Sequence, residues 1–211
     1  MAETATLWKP RGAWAGIVQA GRFGAEGEAG VTVLMRDGLG IATLIVGPNG
    51  GAALAAAIRE RFGVDLPQGP AAVSSGADQA IWSGPEQWLL IGDRRAGFSD
   101  ALAGLANLAA VSDQSDSRAV LSLSGPRVRD LLAKGCMIDL HPAAFPAGAA
   151  ALTSIAHMPV ALWRSADGAD GPVFEIMAPR SMAGSFWSWL SASAAEFGCV
   201  VAAGPDGSGR A

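Results

Sequence analysis

The sequence predicts an α+β fold built as two similar halves that share a core. Three observations carry that expectation. Half of the 211 residues are hydrophobic and only 16% are charged, with a mean hydropathy of +0.30, the opposite of the balance that keeps a chain disordered. Short strand patterns at hairpin spacing alternate with helical ones, which favours mixed or antiparallel sheets over a purely parallel one. Two Gly-Pro helix starts, at Gly47 and Gly125, and two Asp-Leu turns, at Asp65 and Asp139, recur roughly 75 residues apart, a spacing that points to an internal repeat.

The elements follow in order. Residues 1–30 read as an extended arm rich in Gly, Ala and lone aromatics. Its Trp8 and Trp14 need a surface to pack on, either within this domain or on another chain. Strands over 31–35 and 41–46 flank Asp37-Gly38, a good hairpin signal. The Gly47–Gly51 turn opens a helix to about Phe62, and Gly63 supplies its stop. Strands near 71–74, 79–82 and 88–91 precede a helix over 98–109. The plan then repeats: a strand at 118–123, a helix from Gly125 to about Lys134, strands at 149–154, 160–163 and 173–177, and a helix over 180–197 with Phe186, Trp187 and Leu190 at apolar spacing. A strand at 199–202 precedes a Gly-rich tail. The expected organisation is an arm (1–30), one domain (31–203) of two pseudo-repeats (about 31–111 and 112–203), and a disordered tail (204–211).

Charge and motif content narrow the function. The net charge of −4 and pI near 5.1 argue against a nucleic-acid partner, because Arg11, Arg22, Arg36 and the Arg127/Arg129 pair are scattered along the chain rather than gathered in one basic run. No apolar stretch reaches membrane-spanning length, and the Met-Ala-Glu-Thr start has no basic-then-apolar leader, so a cytoplasmic location is expected. Cys136 and Cys199 lie in apolar surroundings and read as small buried hydrophobes. His141 and His157 each stand near a proline away from any nucleophile motif, and two histidines are too few for a local metal site. Asp113-Gln114-Ser115-Asp116-Ser117-Arg118 is the most polar cluster, readable as a ligand site or as a turn that caps backbone groups. Trp82-Ser83-Gly84-Pro85-Glu86-Gln87-Trp88 reads as a hairpin between aromatic strands.

These segments carry a resemblance. The stretch from Trp82 to Leu90, the run Asp113 to Arg118, Leu123-Ser124-Gly125-Pro126-Arg127-Val128-Arg129, Lys134 to Leu140, Phe145-Pro146-Ala147-Gly148 with Thr153, and Arg180-Ser181-Met182-Ala183 ahead of Phe186-Trp187 are similar, in order, to the sarcosine oxidase gamma subunit family. The resemblance spans roughly residues 30 to 200. It implies a wider kinship with the folate-binding domain of the glycine-cleavage aminomethyltransferase, whose architecture is two duplicated α+β halves with exchanged strands. That group has an Asp-containing turn, a Gly-led helix, an Asn-Asp pair and a Tyr-Thr pair. Asp113, Gly125, Ile138-Asp139 and Leu152-Thr153 stand in those places here.

The resemblance also sets functional expectations. The enzyme it points to oxidatively demethylates sarcosine to glycine, forming hydrogen peroxide, while the one-carbon unit passes to tetrahydrofolate or leaves as formaldehyde. Its alpha and beta subunits hold NAD, FAD, FMN and folate, its delta subunit holds zinc, and gamma has no assigned cofactor. This chain departs from the folate-binding pattern in two ways. Leu152 replaces the tyrosine, and residues 155–163 contain no carboxylate where the acidic pair is expected. The resemblance therefore implies a non-catalytic subunit that meets the alpha, beta and delta subunits, alpha foremost. Asp113, Arg118 and Asp139 are the candidates for a vestigial pocket. Two other classes stay open: a free-standing folate-binding or one-carbon transfer protein, and a self-assembling structural protein.

Overall fold

The computed structural model describes residues 11–47, 50–76, 78–169 and 171–203. The Trp8 part of the arm, the 204–211 tail and Pro48-Asn49 of the first helix start lie outside the described residues.

Among the described residues, twelve strands form two sheets. In chain order they are β1 (Gly21–Phe23), β2 (Val31–Arg36), β3 (Gly40–Ile45), β4 (Ala72–Ser75), β5 (Asp78–Gly84), β6 (Gln87–Gly92), β7 (Ala110–Asp113), β8 (Arg118–Ser124), β9 (Ala150–Ile155), β10 (Met158–Arg164), β11 (Phe174–Pro179) and β12 (Cys199–Ala203). The described α-helices that join them are α1 (Gly51–Phe62), α2 (Phe98–Ala103), α3 (Val128–Ala133) and α4 (Ala183–Ala194). One sheet runs β4-β5-β6-β3-β7, and the other runs β9-β10-β11-β8-β2 and then adds β12 and β1. The first five positions of the two sheets follow one plan. Each half passes its first strand to the other half's sheet: β2 joins β8, and β7 joins β3. This is the duplicated α+β fold with exchanged strands, and all pairings are antiparallel except β12 with β2.

The layers follow from strand parity. On β2, Val31, Val33 and Met35 are buried, with Thr32, Leu34 and Arg36 on the opposite face. The first set meets Val128, Leu131 and Leu132 of α3 and Phe186 and Leu190 of α4 in one core. On the five-stranded sheet, Ala42, Leu44, Trp88 and Leu90 meet Leu54 and Ile58 of α1 with Phe98 and Leu102 of α2. Between the sheets lies a third core of Leu39, Ile41, Ile81, Leu89 and Ile91 against Val120, Ala150, Ala161, Trp163 and Met177. The molecule is thus helices, sheet, sheet, helices. Helix ends obey local rules: Gly63 takes a left-handed φ of 65° and closes α1 through Arg59. Gly125 has φ 110° and lies so close to Gly30 that a Cβ would strike its backbone.

Two local expectations need correction. The two strands around Asp37-Gly38 do not pair as a hairpin. β2 pairs with β8 and β12, while β3 pairs with β6 and β7. The turn is instead a corner between sheets, because Leu39 enters the interlayer core and Asp37 Oδ1 accepts a hydrogen bond from the Ala13 N–H at 2.8 Å. Helix α2 ends at Ala103, six residues before its expected end, and turns carry the chain onward. The residues that follow form β7, which completes the five-stranded sheet. Of the two surfaces open to Trp14, it takes its own chain, packing into the core at 1% exposure and donating Nε1–H to the Val120 carbonyl at 2.7 Å, while β1 within the arm pairs with β12.

Candidate functional site

Along the inner face of the five-stranded sheet, Ile41 is core, and the next residues of the same parity, Thr43 and Ile45, lead outward. The facing strand β9 does the same, from buried Ala150 to Leu152 and Ser154. The sheets splay here into a groove of about 730 Å³. Leu89, Ala161 and Met177 line it together with the polar Thr43, Ser83, Gln87, Gln114 and Thr153. Ile45 and Leu152 are 45% and 57% exposed, large apolar side chains held out on opposing sheets. Arg118 is the one charged side chain among the described lining residues. Its Nε and Nη2 both donate to Gln114 Oε1, the former at 2.8 Å, and burial lowers its pKa from the usual arginine value.

Of the three pocket candidates named from the sequence, Arg118 lines this groove. Asp113 stands at the end of β7, exposed, with Oδ1 accepting hydrogen bonds from the Ser115 N–H at 2.9 Å and the Ser115 hydroxyl at 2.6 Å. Asp139 lies on the loop beyond α3, also exposed, and accepts the His141 N–H at 2.8 Å. The fold therefore brings Arg118 together with Leu152 and Thr153 and leaves Asp139 apart. Ile45 and Met177 were missed as groove residues because each sits in an ordinary strand pattern. Nothing in the sequence distinguishes a strand residue over the core from one over an opening.

The groove can hold an apolar surface and orient it by hydroxyls, amides and one cation. The titratable thiols lie elsewhere. Burial raises the pKa of Cys136 and pushes that of Cys199 up to about 11, so both stay protonated near neutral pH. His141 Nδ1 accepts the Ala143 N–H at 3.3 Å within its own turn. No described helix is long and apolar enough to cross a membrane. No cluster of three or more His, Cys, Asp or Glu suited to a metal ion occurs among the described residues.

Residues 46–196 match the model of the "Sarcosine oxidase, gamma subunit family". A sarcosine oxidase subunit gamma from Arthrobacter sp. is 36% identical over 152 residues, covering 68% of this chain and 72% of the relative. The subunit gamma of Corynebacterium sp. (strain U-96) is 34% identical over 163 residues, covering 75% and 76%. Among solved structures, a chain of the heterotetrameric sarcosine oxidase from Corynebacterium sp. U-96, in complex with pyrrole 2-carboxylate, superposes with a TM-score of 0.75 at 31% identity, covering 89% of this chain and 96% of that one. The glycine cleavage system aminomethyltransferase T from Bartonella henselae shares the fold at a TM-score of 0.56 and 14% identity, covering 83% of this chain and 48% of that one. On the family match and these relatives, the chain belongs to the sarcosine oxidase gamma subunit family.

Proposed function

We propose that this chain is the gamma subunit of a heterotetrameric sarcosine oxidase and stabilises that assembly without catalysing a step itself. The observation that carries the reading is the superposition on a chain of the heterotetrameric enzyme, which covers nearly the whole of both chains. In this reading the complex oxidatively demethylates sarcosine to glycine, with hydrogen peroxide and either formaldehyde or a folate-bound one-carbon unit as the other products. FAD, FMN, NAD and tetrahydrofolate belong to the alpha and beta subunits and zinc to delta, in the cytoplasm. The groove is the face that meets the folate-domain end of alpha. Ile45 and Leu152 on its two rims support this, because exposed aliphatic side chains on facing edges mark a surface that a partner covers.

The test is recovery of the tagged chain from its native host. A yellow assembly that produces peroxide from sarcosine is the expected result. Recovery of the chain alone and colourless overturns the proposal, and folate binding by the free chain is then the next measurement.

A further inference from the structure

On the other side of Arg118 the interlayer opens again, into a cleft of about 340 Å³. It is assembled from separate stretches of the chain: the arm at Arg11, the end of β2 at Arg36, the turn before α2 at Arg95, the start of β8 at Arg118, and the segment after β11 at Arg180. Five arginines and two aspartates, Asp37 and Asp116, line it, on a chain whose net charge is −4. Strand register explains part of the convergence. Arg36 pairs with Val120, and Arg118 pairs with Pro179 next to Arg180, so three cations share one end of the sheet.

We propose that this cleft is a binding site for the oxyanion group, carboxylate or phosphate, of a small molecule.

The balance of partners carries the inference. Arg36 is met by Glu175 at 3.3 Å, and Arg95 is paired with Asp116. Asp37 Oδ1 accepts the neutral Ala13 N–H of the arm, so Asp37 remains one carboxylate set against the five guanidiniums. The other three guanidiniums have no carboxylate partner among the described residues. Arg11 donates to the Ala15 carbonyl, and Arg180 donates to the carbonyls of Arg11, Gly12 and Asp116 at 2.9, 3.3 and 3.5 Å. Arg118 donates to the neutral Gln114, leaving Nη1 without a protein acceptor among the described residues. Five guanidiniums set against Asp37, Asp116 and Glu175 leave an excess of positive charge, and for the half-buried Arg118 that charge is costly, as its lowered pKa reflects. An oxyanion supplies what these groups lack, through charge-assisted and forked hydrogen bonds. The volume suits a small metabolite rather than a bare ion alone. This inference stands independently of the assembly reading.

The test is titration calorimetry of the full chain, in low-chloride buffer, with inorganic phosphate and separately with succinate. Saturable binding of one equivalent of either anion, weakened at least tenfold by Arg118→Met and partly recovered by Arg118→Lys, is the expected result. The anion that binds more tightly identifies the source of the oxyanion. Amide chemical shifts of the unmutated chain provide a second readout that needs no variant, and phosphate or succinate should move Gly38, Ala96 and Arg118 first. Heat that fails to saturate with both anions, equal affinity in a folded Arg118→Met, or shifts confined to other surfaces overturns the proposal.

Discussion

Asp116 illustrates how much a single charged residue on this protein contributes. Its side-chain hydrogen bond to Arg95 holds its pKa below the usual carboxylate value, yet the side chain is 72% exposed. Solvent screens such a pair, so its contribution is at most about 1 kcal/mol. Because the folded pKa is depressed, that contribution is present above the unfolded value near 3.8 and is lost as pH falls through the folded one. Asp116→Asn is therefore expected to lower stability by no more than about 1 kcal/mol at pH 7. Urea unfolding of both proteins at successively lower pH should show the gap closing, and a gap that widened in acid would contradict this. Arg36 and Glu175 present the opposite case. Glu175 is 5% exposed and also accepts the Ser122 hydroxyl at 2.7 Å, so its charge is compensated inside the sheet interlayer.

Among the elements, the β9–β10 hairpin carries identifiable backbone strain. Ile155 pairs with Met158, so the loop has two residues, Ala156 and His157, with φ of 49° and 64°. Two-residue loops of this hand favour Asn and Gly, because a side chain in the left-handed region crowds its own carbonyl. The turn persists because Ala156 N–H donates to the Gly135 carbonyl at 3.0 Å, tying the loop to the end of α3. His157 is exposed, so its replacement probes the backbone with little change in packing. His157→Gly is expected to gain about 0.5 kcal/mol, and His157→Val to lose about 1 kcal/mol, in denaturant unfolding. Equal stabilities for Gly and Val would mean that the loop relaxes out of the left-handed region in solution.

At the scale of the molecule, the exchange of β2 and β7 ties the two sheets into one body, and the open edge of their interlayer forms the groove. Leu152 is an apolar side chain 57% exposed on that edge, with little packing to lose. Leu152→Asp should leave the isolated chain folded, with unfolding within about 0.5 kcal/mol of the parent. Under the proposed contact with the sarcosine oxidase alpha subunit, it should weaken co-assembly at least tenfold, because the new charge would be desolvated there. Analytical ultracentrifugation of mixed subunits reads the second effect. Undiminished assembly would place the contact on another face.

Much of this protein was legible before its structure. Most strands and helices emerged from local pattern, since alternation and helical spacing are properties of neighbouring residues. The stop at Gly63 and the Trp82–Trp88 hairpin are both local signals, and the ordered motifs from Trp82 to Trp187 identified the family. Partner choice was not legible. Asp37-Gly38 looks like a hairpin turn, and only the burial of Leu39 and the bond from Ala13 turn it into a corner between sheets. The candidate sites divide in the same way. The Asp113 turn is local and was read as one possibility, whereas the gathering of Arg11, Arg36, Arg95, Arg118 and Arg180 joins residues up to 169 positions apart. A pattern along the chain records which face a residue takes. Which distant residue it meets there is decided by how two sheets exchange strands and close over a common core.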